Sequence, residues 1–455
     1  MRKSNTLNMT EGNPSRLLVM FALPMLIGNL FQQAYNLVDS IIVGKFVGAS
    51  ALAAVGATGS ISFLFFSVCN GIGSGSGIVT SQYFGAGDPI RVKRAIANSA
   101  YIMFSAALVM GLAAFFAAPT LLKVMGTPAD ILADSTTYMR MSCLGVPLVA
   151  VYNYSSSMLR ALGDSRTPLY FLIFSCFLNI IMDILFVYVF GMGVFGAALA
   201  TIIAQVIAGL GCLSYAMRRN PYFMLSKEDW KIDREVIRKS IKLGLPLAMQ
   251  WSLIAISSTA LQTFTNSFGT AAVAAFTATN RIETLVQQPY GSLSSAMATY
   301  AGQNYGAKRM DRVKMGLKHG MAMSAIFSLF MLIVLQLFSS QIITFFVDDP
   351  EVIHIGGTAL KITSWLYIFL GTIYMTRGIL NGVGDALFAF INGIVEMLCR
   401  IFLPMLLVLI PTVGLWGIWW TAGLTWFISA AFCLLRYWSW RKKAAIPAEA
   451  EIQAE

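Results

Sequence analysis

The chain has 455 residues, of which 57% are hydrophobic and only 12% are charged, and its mean hydropathy is +0.70. Soluble domains carry about 25% charged residues, so this composition excludes a soluble protein and indicates an integral membrane protein. The formal net charge of +11 would suit a nucleic-acid partner, but the basic residues lie between apolar segments rather than in one patch. We therefore expect no nucleic-acid partner.

Apolar segments of about 20 residues, the length that a membrane-spanning helix needs, recur along the whole chain. We therefore predict an all-α integral membrane protein with twelve transmembrane helices. Their predicted ranges are 16–44, 50–83, 94–118, 131–160, 166–190, 193–217, 237–266, 271–303, 313–346, 352–380, 385–409 and 414–438.

The distribution of Lys and Arg predicts the orientation of these helices, because cytoplasmic loops of membrane proteins are enriched in both. If both termini are cytoplasmic, the cytoplasmic segments and the adjoining helix ends carry 26 of the 32 Lys and Arg residues. The opposite side carries only Lys45, Lys123 and Lys361. We therefore expect a multi-pass protein of the plasma (inner) membrane with both termini in the cytoplasm.

The sequence contains an internal repeat with an offset of about 221 residues. The segment 82–86, Gln-Tyr-Phe-Gly-Ala, recurs at 303–307 as Gln-Asn-Tyr-Gly-Ala. The same offset relates Gly163-Asp164 to Gly384-Asp385. Each copy contains six helices, an even number, so the two copies have the same orientation and are parallel repeats.

This repeat predicts the domain organisation. We expect a six-helix lobe over 1–217, a charged cytoplasmic linker over 218–236, a second six-helix lobe over 237–441 and a disordered, polar cytoplasmic tail over 442–455. Two such bundles are expected to enclose a cavity between them, which is typical of transporters.

Polar side chains interrupt two of the apolar helices in the first lobe. In the first helix, Tyr35 and Asn36 precede Asp39 by four and three residues, so the three share one face. In the fifth helix, Asn179 and Asp183 are four residues apart and also share a face. A carboxylate in hydrocarbon costs about 2.5 kcal/mol or more, so both aspartates are candidates for a functional site.

Thr201, in the sixth helix, joins this set by its depth in the membrane. At about 1.5 Å per residue, Asp39, Asp183 and Thr201 each lie about 8–12 Å from the outer ends of their helices. Together with the amide of Asn179, they offer oxygen ligands for Na⁺ or two acids that share a proton. The alternative is that neighbouring helices satisfy each polar group and that the set is structural.

The second half of the chain lacks a matching set, because the offset places Pro404 at the position of Asp183. Glu396 precedes Arg400 by four residues, a spacing that favours a neutralised structural ion pair. Glu283 has a basic neighbour only two residues away, which cannot face it. We take Glu283 as a second-rank candidate for cation or substrate binding.

Other short motifs indicate no enzyme. Gly71, Gly73, Gly75 and Gly77 alternate within a predicted spanning helix, so close helix packing or a bend explains them better than nucleotide binding. The sequence has no ATP-binding Gly-x-x-x-x-Gly-Lys loop and no His-Glu-x-x-His motif. The six Cys residues are scattered without a Cys-x-x-Cys spacing. We expect no cofactor other than a coupling ion.

Taken together and in chain order, these features resemble the multidrug and toxic compound extrusion (MATE) transporters over about residues 20–440. The doubled six-helix unit carries part of this resemblance, and short motifs of the first lobe carry the rest. The motifs are Pro24 with Gln32, Tyr35 and Asp39, the segment Gln82-Tyr83-Phe84-Gly85-Ala86, the loop Arg160-Ala161-Leu162-Gly163-Asp164, and the face formed by Asn179 and Asp183.

The resemblance implies a V-shaped, two-lobed antiporter that expels organic, often cationic, small molecules in exchange for H⁺ or Na⁺ by alternating access. We expect it to act as a monomer in contact with membrane lipid. One set of residues resembles the amino-lobe cation network of the DinF-like branch of the family. Its members are Tyr35, Asp39, Asn153, Asn179, Asp183 and Thr201, with Gln32, Asn36 and Glu283 as further candidates for the substrate or the network.

The NorM-like branch instead uses acidic residues in helices seven and ten, and here the ranges 240–266 and 355–380 contain none. Pro24 removes a helix hydrogen bond, so it is either a hinge or a static kink. Two other functions remain open. A lipid-linked oligosaccharide flippase would share the architecture, whereas a receptor or intramembrane enzyme would need a sensing domain or a catalytic set.

Overall fold

The computed structural model describes residues 5–452, and these residues are almost entirely helical. A π-helix, Ile184–Val189, follows α5 directly. The α-helices of the described residues are α1 (Pro14–Phe46), α2 (Ala49–Gly85), α3 (Pro89–Val124), α4 (Leu132–Ala161), α5 (Arg166–Asp183), α6 (Gly193–Arg219), α7 (Arg234–Thr265), α8 (Thr270–Gly306), α9 (Met310–Ile343), α10 (Pro350–Ser364), α11 (Tyr367–Gly382), α12 (Ala386–Val408) and α13 (Gly417–Ile452).

These helices account for the twelve predicted spans. Within residues 5–452, eight helices are long and apolar enough to cross a membrane, and α10 with α11 makes a ninth. The helices α2, α4 and α8 contain 37, 30 and 37 residues. At about 1.5 Å per residue each exceeds the roughly 30 Å hydrocarbon core. The prediction of an all-α, twelve-helix membrane protein is thus confirmed.

The structure differs from the predicted helix 352–380, which is broken. The axes of α10 and α11 meet at an angle of 52°. The N–H of Leu366 donates to the carbonyl of Thr363, three residues earlier, so the chain tightens there and leaves the α-helical path. Helical period alone did not indicate this turn, because the apolar pattern continues across it.

The last helix is longer than the sequence indicates. We expected a disordered tail over 442–455, whereas α13 continues to Ile452. The segment is rich in Ala, Glu and Lys, which have high helix propensity. Residues 453–455 lie outside the described residues.

The chain divides into two compact units. The first unit contains Met1–Ser252 and Gly302–Arg309, and the second contains Leu253–Ala301 and Met310–Glu455. Part of α7 and the end of α8 thus belong to the first unit, although the sequence places both in the second lobe. The division does not fall at the linker 218–236.

The pairing of helices repeats between the two units. In the first unit α3 packs on α4, α4 on α6 and α5 on α6. In the second unit α9 packs on α10 and α11, α11 on α13 and α12 on α13. These are the pairs that the offset of 221 residues relates, so the sequence repeat is also a repeat of the fold.

Backbone contacts of the glycines in α2 explain why part of α7 belongs to the first unit. A Cβ atom added to Gly71 would lie 2.5 Å from the backbone N of Ala248, and one added to Gly75 would overlap the backbone of Gly244. On the opposite face, a Cβ on Gly73 would lie 3.1 Å from Ser157 Oγ in α4. The alternating glycines therefore let α2 pack closely on both sides, which confirms the packing interpretation.

Candidate functional site

The site in the first unit is built by α1, α5 and α6, which pack against one another. Asp183 and Asn179 of α5 are 0% and 2% exposed. The amide Nδ2 of Asn179 donates to Thr201 Oγ1 of α6 at 3.2 Å. The structure thus brings together two side chains of α5 and α6 that the sequence predicted to lie at a similar depth.

Asp183 is the last residue of α5, and the wider turns of the π-helix begin at Ile184. Single π-helical turns within α-helices are rare and often lie at functional sites. The wider turn changes the direction of the side chains that follow Asp183. The sequence gives no signal for this turn, since the apolar run 184–190 fits a regular helix equally well.

Asp39 of α1 meets Asp183 in the interior of the unit. The two carboxyl groups lie within hydrogen-bonding reach of each other. Asp39 Oδ1 is buried and accepts no hydrogen bond from the residues that the structure describes. Two carboxylates so close together repel strongly if both are ionised, so a proton or a cation between them would stabilise the pair.

Two tyrosines flank the carboxyl pair. Tyr35, one turn before Asp39 in α1, is half-buried beside both aspartates, as predicted. Tyr138 of α4 also lies beside Asp39 and Asp183, although it was not among the predicted site residues. Its distance from the predicted start of its helix is about 10 Å, the same depth range as the aspartates. The depth of Tyr138 in its helix was therefore a signal in the sequence for its place beside the aspartates.

A small cavity adjoins the Asn179–Thr201 contact. The centre of a water-sized sphere can move within about 10 Å³ of it. This is close to the space that one water molecule needs. Its lining residues are Tyr35, Leu172, Ser175, Cys176, Asn179, Thr201 and Gln205. Ser175 and Gln205 were not predicted, although each lies four residues from a predicted member and so shares its helix face.

The remaining candidates of the first unit make no contact with this cluster that the structure establishes. The side chains of Gln32 and Asn36 are exposed, so Asn36 does not share the buried face of Tyr35 and Asp39 as the sequence predicts. A face spans about a third of the helix, and residue 36 lies at its edge. Asn153 is half-buried in α4, fifteen residues or about four turns from Tyr138, and its place in the network stays a prediction.

Pro24 lies within α1, which is one continuous helix from Pro14 to Phe46. The proline is buried. It removes one backbone donor from the helix, but the helix does not end there. Its role as a hinge stays a prediction.

The second unit contains a different polar network. Glu396 does not pair with Arg400, as the spacing indicated. Its carboxylate instead accepts from Arg377 of α11, from Asn392 at 3.0 Å and from Ser429 at 3.1 Å. A partner on another helix offers a buried charge better geometry than one on the same helix surface. The structural ion pair was thus predicted with the wrong partner.

Arg400 and Glu283 lie close enough in this unit for their charges to interact. Arg400 donates through Nη1 to Ser257 Oγ of α7 at 3.1 Å. Glu283 is half-buried in α8, and its carboxylate lies beside the Thr363 hydroxyl and the Tyr367 ring. A single carboxylate with hydroxyl neighbours offers fewer ligands than the two-aspartate cluster, so Glu283 remains a second candidate.

The MatE family model matches residues 24–185 and again residues 246–406, which together exceed half of the chain. This chain belongs to the MATE family. The two matches coincide with the two sequence repeats. MATE proteins are membrane transporters and not enzymes, so the chain is a multi-pass transporter.

Known relatives agree with this assignment. This MATE chain is 30% identical over 379 residues to the "Probable multidrug resistance protein YoeA" of Bacillus subtilis, covering 82% of each chain. It is 24% identical over 404 residues to the multidrug export protein MepA of Staphylococcus saprophyticus, covering 88% of each chain. A solved MATE structure in the bent conformation has a TM-score of 0.89 at 23% identity, covering 98% of this chain and 100% of that one.

Proposed function

We propose that this MATE chain exports organic, often cationic, compounds in exchange for a cation that binds at Asp39 and Asp183. The observation that carries the proposal is the contact between two carboxyl groups inside a membrane-spanning bundle. Intramembrane acids are costly and commonly mark ion pathways. The relatives' names, which describe multidrug resistance and export, support the substrate class.

The mechanism follows from linkage between the two ligands. A cation bound at the carboxyl pair stabilises one access state, and the organic substrate must stabilise another. Binding of the cation from outside then favours release of the substrate to the outside. No ATP is needed, because the cation gradient supplies the free energy. The transporter thus alternates between two access states, one stabilised by the cation and the other by the organic substrate.

H⁺ is the coupling ion that the geometry supports best. The carboxyl groups of Asp39 and Asp183 lie beside each other, and one shared proton would remove the repulsion between them. A Na⁺ ion would have to separate the two groups and recruit oxygen ligands such as Thr201 Oγ1. Na⁺ is the second candidate, since Asn179, Thr201 and the adjoining small cavity could supply those ligands and that space.

We also propose the membrane location, the orientation and the family branch of this transporter. The excess of Lys and Arg in one set of loops supports a plasma membrane protein with both termini in the cytoplasm. The lack of acidic residues in 240–266 and 355–380, together with the paired aspartates, supports the DinF-like branch. We expect it to function as a monomer with small organic molecules as substrates and with no cofactor.

Efflux from inverted membrane vesicles tests the proposal. A fluorescent organic cation should be taken up when a pH gradient is imposed without ATP, and Asp183→Asn should lose this uptake at normal expression. Asp130→Asn, an exposed carboxylate in the loop before α4, is the matched control and should transport normally. Full uptake by Asp183→Asn would refute the cation site. Wild-type protein that moves no organic cation would instead favour a lipid-linked oligosaccharide flippase.

A further inference from the structure

A cavity of about 270 Å³ lies where α12 begins and where the apolar part of α13 ends, within the second unit. It is separate from the Asp39–Asp183 cluster, which belongs to the first unit. Its lining is mainly apolar, with a carboxylate and a guanidinium at one end. The lining residues are Asp385, Leu387, Phe388, Ile391, Phe432 and Arg436.

The two charged groups at this cavity form an ion pair that remains open to its surroundings. Arg436 Nε donates to Asp385 Oδ2 at 2.7 Å. The side chain of Arg436 is 41% exposed and that of Asp385 is 15% exposed. A guanidinium carries four further N–H donors, so Arg436 can bind an anionic group while it keeps Asp385.

Asp385 makes different hydrogen bonds from Asp164, the residue at the equivalent position of the first repeat. Asp164, 221 residues earlier, caps α5: its Oδ1 accepts from the N–H groups of Arg166 at 3.1 Å and Thr167 at 2.9 Å. Asp385 occupies the same position before α12 but makes no such cap bond. In the second unit the carboxylate instead faces the cavity and Arg436.

The sequence around the cavity places its charged end near the membrane–water interface and its apolar residues deeper along α12. Asp385 directly precedes the spanning helix α12, and Arg436 is soon followed in α13 by Trp438, Trp440 and basic residues. Trp and basic residues are enriched at the membrane–water interface. Ile391 lies six residues further into the membrane than Asp385, or about 9 Å along α12.

We propose that this cavity binds a phospholipid with a zwitterionic headgroup that carries a primary ammonium, as in phosphatidylethanolamine. The phosphate binds Arg436, the ammonium donates to Asp385, and an acyl chain lies on Phe388, Ile391 and Phe432. A paired acid and base complements a zwitterion, whereas an anionic lipid would place a net negative charge near Asp385. The quaternary ammonium of choline has no N–H to donate.

Lipid binding to the purified, delipidated chain tests this site. Native mass spectrometry would measure the affinities of phosphatidylethanolamine, phosphatidylcholine and phosphatidylglycerol with identical acyl chains. One lost hydrogen bond to a charged group corresponds to about tenfold in affinity, so the wild type should prefer phosphatidylethanolamine to phosphatidylcholine by that factor. Asp385→Asn should abolish the preference.

A second variant tests the apolar part of the cavity without changing the Asp385–Arg436 ion pair. Ile391→Trp fills the cavity without touching either charge and should weaken binding of phosphatidylethanolamine about tenfold. Leu406→Trp, on an exposed position further along α12, is the control and should bind as the wild type does. Equal affinity for phosphatidylethanolamine and phosphatidylcholine, a preference for phosphatidylglycerol, or unchanged binding by Ile391→Trp would overturn the proposal.

Discussion

At the scale of single residues, Asp183 shows how the local backbone serves the site. It ends α5 at the first turn of the π-helix, is fully buried, and meets Asp39 from another helix. Asn179, one turn earlier, is already hydrogen-bonded to Thr201. The carboxyl pair carries the acids and the neighbouring pair carries only neutral groups, so substitutions should distinguish them.

Asn179→Ala and Thr201→Ala should each affect transport less than Asp183→Asn does, because each removes a neutral group and leaves both acids. If H⁺ is the coupling ion, either variant should keep its pH-driven uptake within a few fold of the wild type. A Na⁺ site would lose a ligand and with it about tenfold in affinity. Initial rates of dye uptake under imposed H⁺ or Na⁺ gradients make the comparison. A loss as large as that of Asp183→Asn would contradict the proton assignment.

Glu396 should have a structural role. Glu396→Gln leaves the Arg377 guanidinium, whose side chain is 11% exposed, without its countercharge. Loss of one partner from a buried pair costs about 3–5 kcal/mol, so the melting temperature in detergent should fall clearly. Glu228→Gln removes the acid of an exposed pair with Lys231 and should change stability by less than about 1 kcal/mol. Equal melting of the two variants would argue against a structural role.

The sequence predicted which residue types form the site better than it predicted their partners. Helical spacing and depth brought Asp39, Asn179, Asp183 and Thr201 together correctly. Tyr138 was missed because tyrosine within an apolar helix has many structural uses. The partner of Glu396 was wrong because spacing along one helix carries no information on the neighbouring helix.

At the scale of helices, packing between α2 and α7 depends on residues without side chains. Gly75 lies against the backbone of Gly244, so even a methyl group there requires one helix to move. Gly59, on the same helix, has no heavy atom within 4 Å of an added Cβ. The two positions form a matched pair.

Gly75→Ala should therefore destabilise the purified chain by about 1–3 kcal/mol through overpacking. Gly59→Ala should be neutral or stabilise it by up to about 1 kcal/mol, since alanine favours the helix more than glycine does. Thermal unfolding of both proteins in the same detergent measures the difference. A Gly75→Ala protein as stable as Gly59→Ala would show that the close contact is not needed.

The break between α10 and α11 and the π-helix after α5 mark the limit of prediction at this scale. Apolar period and length located all twelve spans, because the bilayer requires long hydrophobic segments. Both irregularities lie inside apolar runs whose composition does not change. Contacts with neighbouring helices determine both irregularities, and the apolar period of a segment carries no information on such contacts.

At the scale of the whole chain, the two repeats have the same fold but different polar chemistry. The first unit holds two acids beside each other, and the second holds an Arg377–Glu396 ion pair and a single further acid, Glu283, on α8. Short motifs were enough to detect the repeat in the sequence. The difference in polar residues between the two copies comes from the few positions at which they differ. We therefore assign coupling to the first unit alone.

Proton release on substrate binding tests that assignment most directly. A pH indicator in weakly buffered, Na⁺-free detergent solution would record protons released when an exported organic cation is added to purified protein. The wild type should release about one proton per bound cation, the one that the carboxyl pair shares, and so should folded Glu396→Gln. Asp39→Asn and Asp183→Asn should release none. Undiminished release by Asp183→Asn, or loss of release in Glu283→Gln instead, would contradict the account.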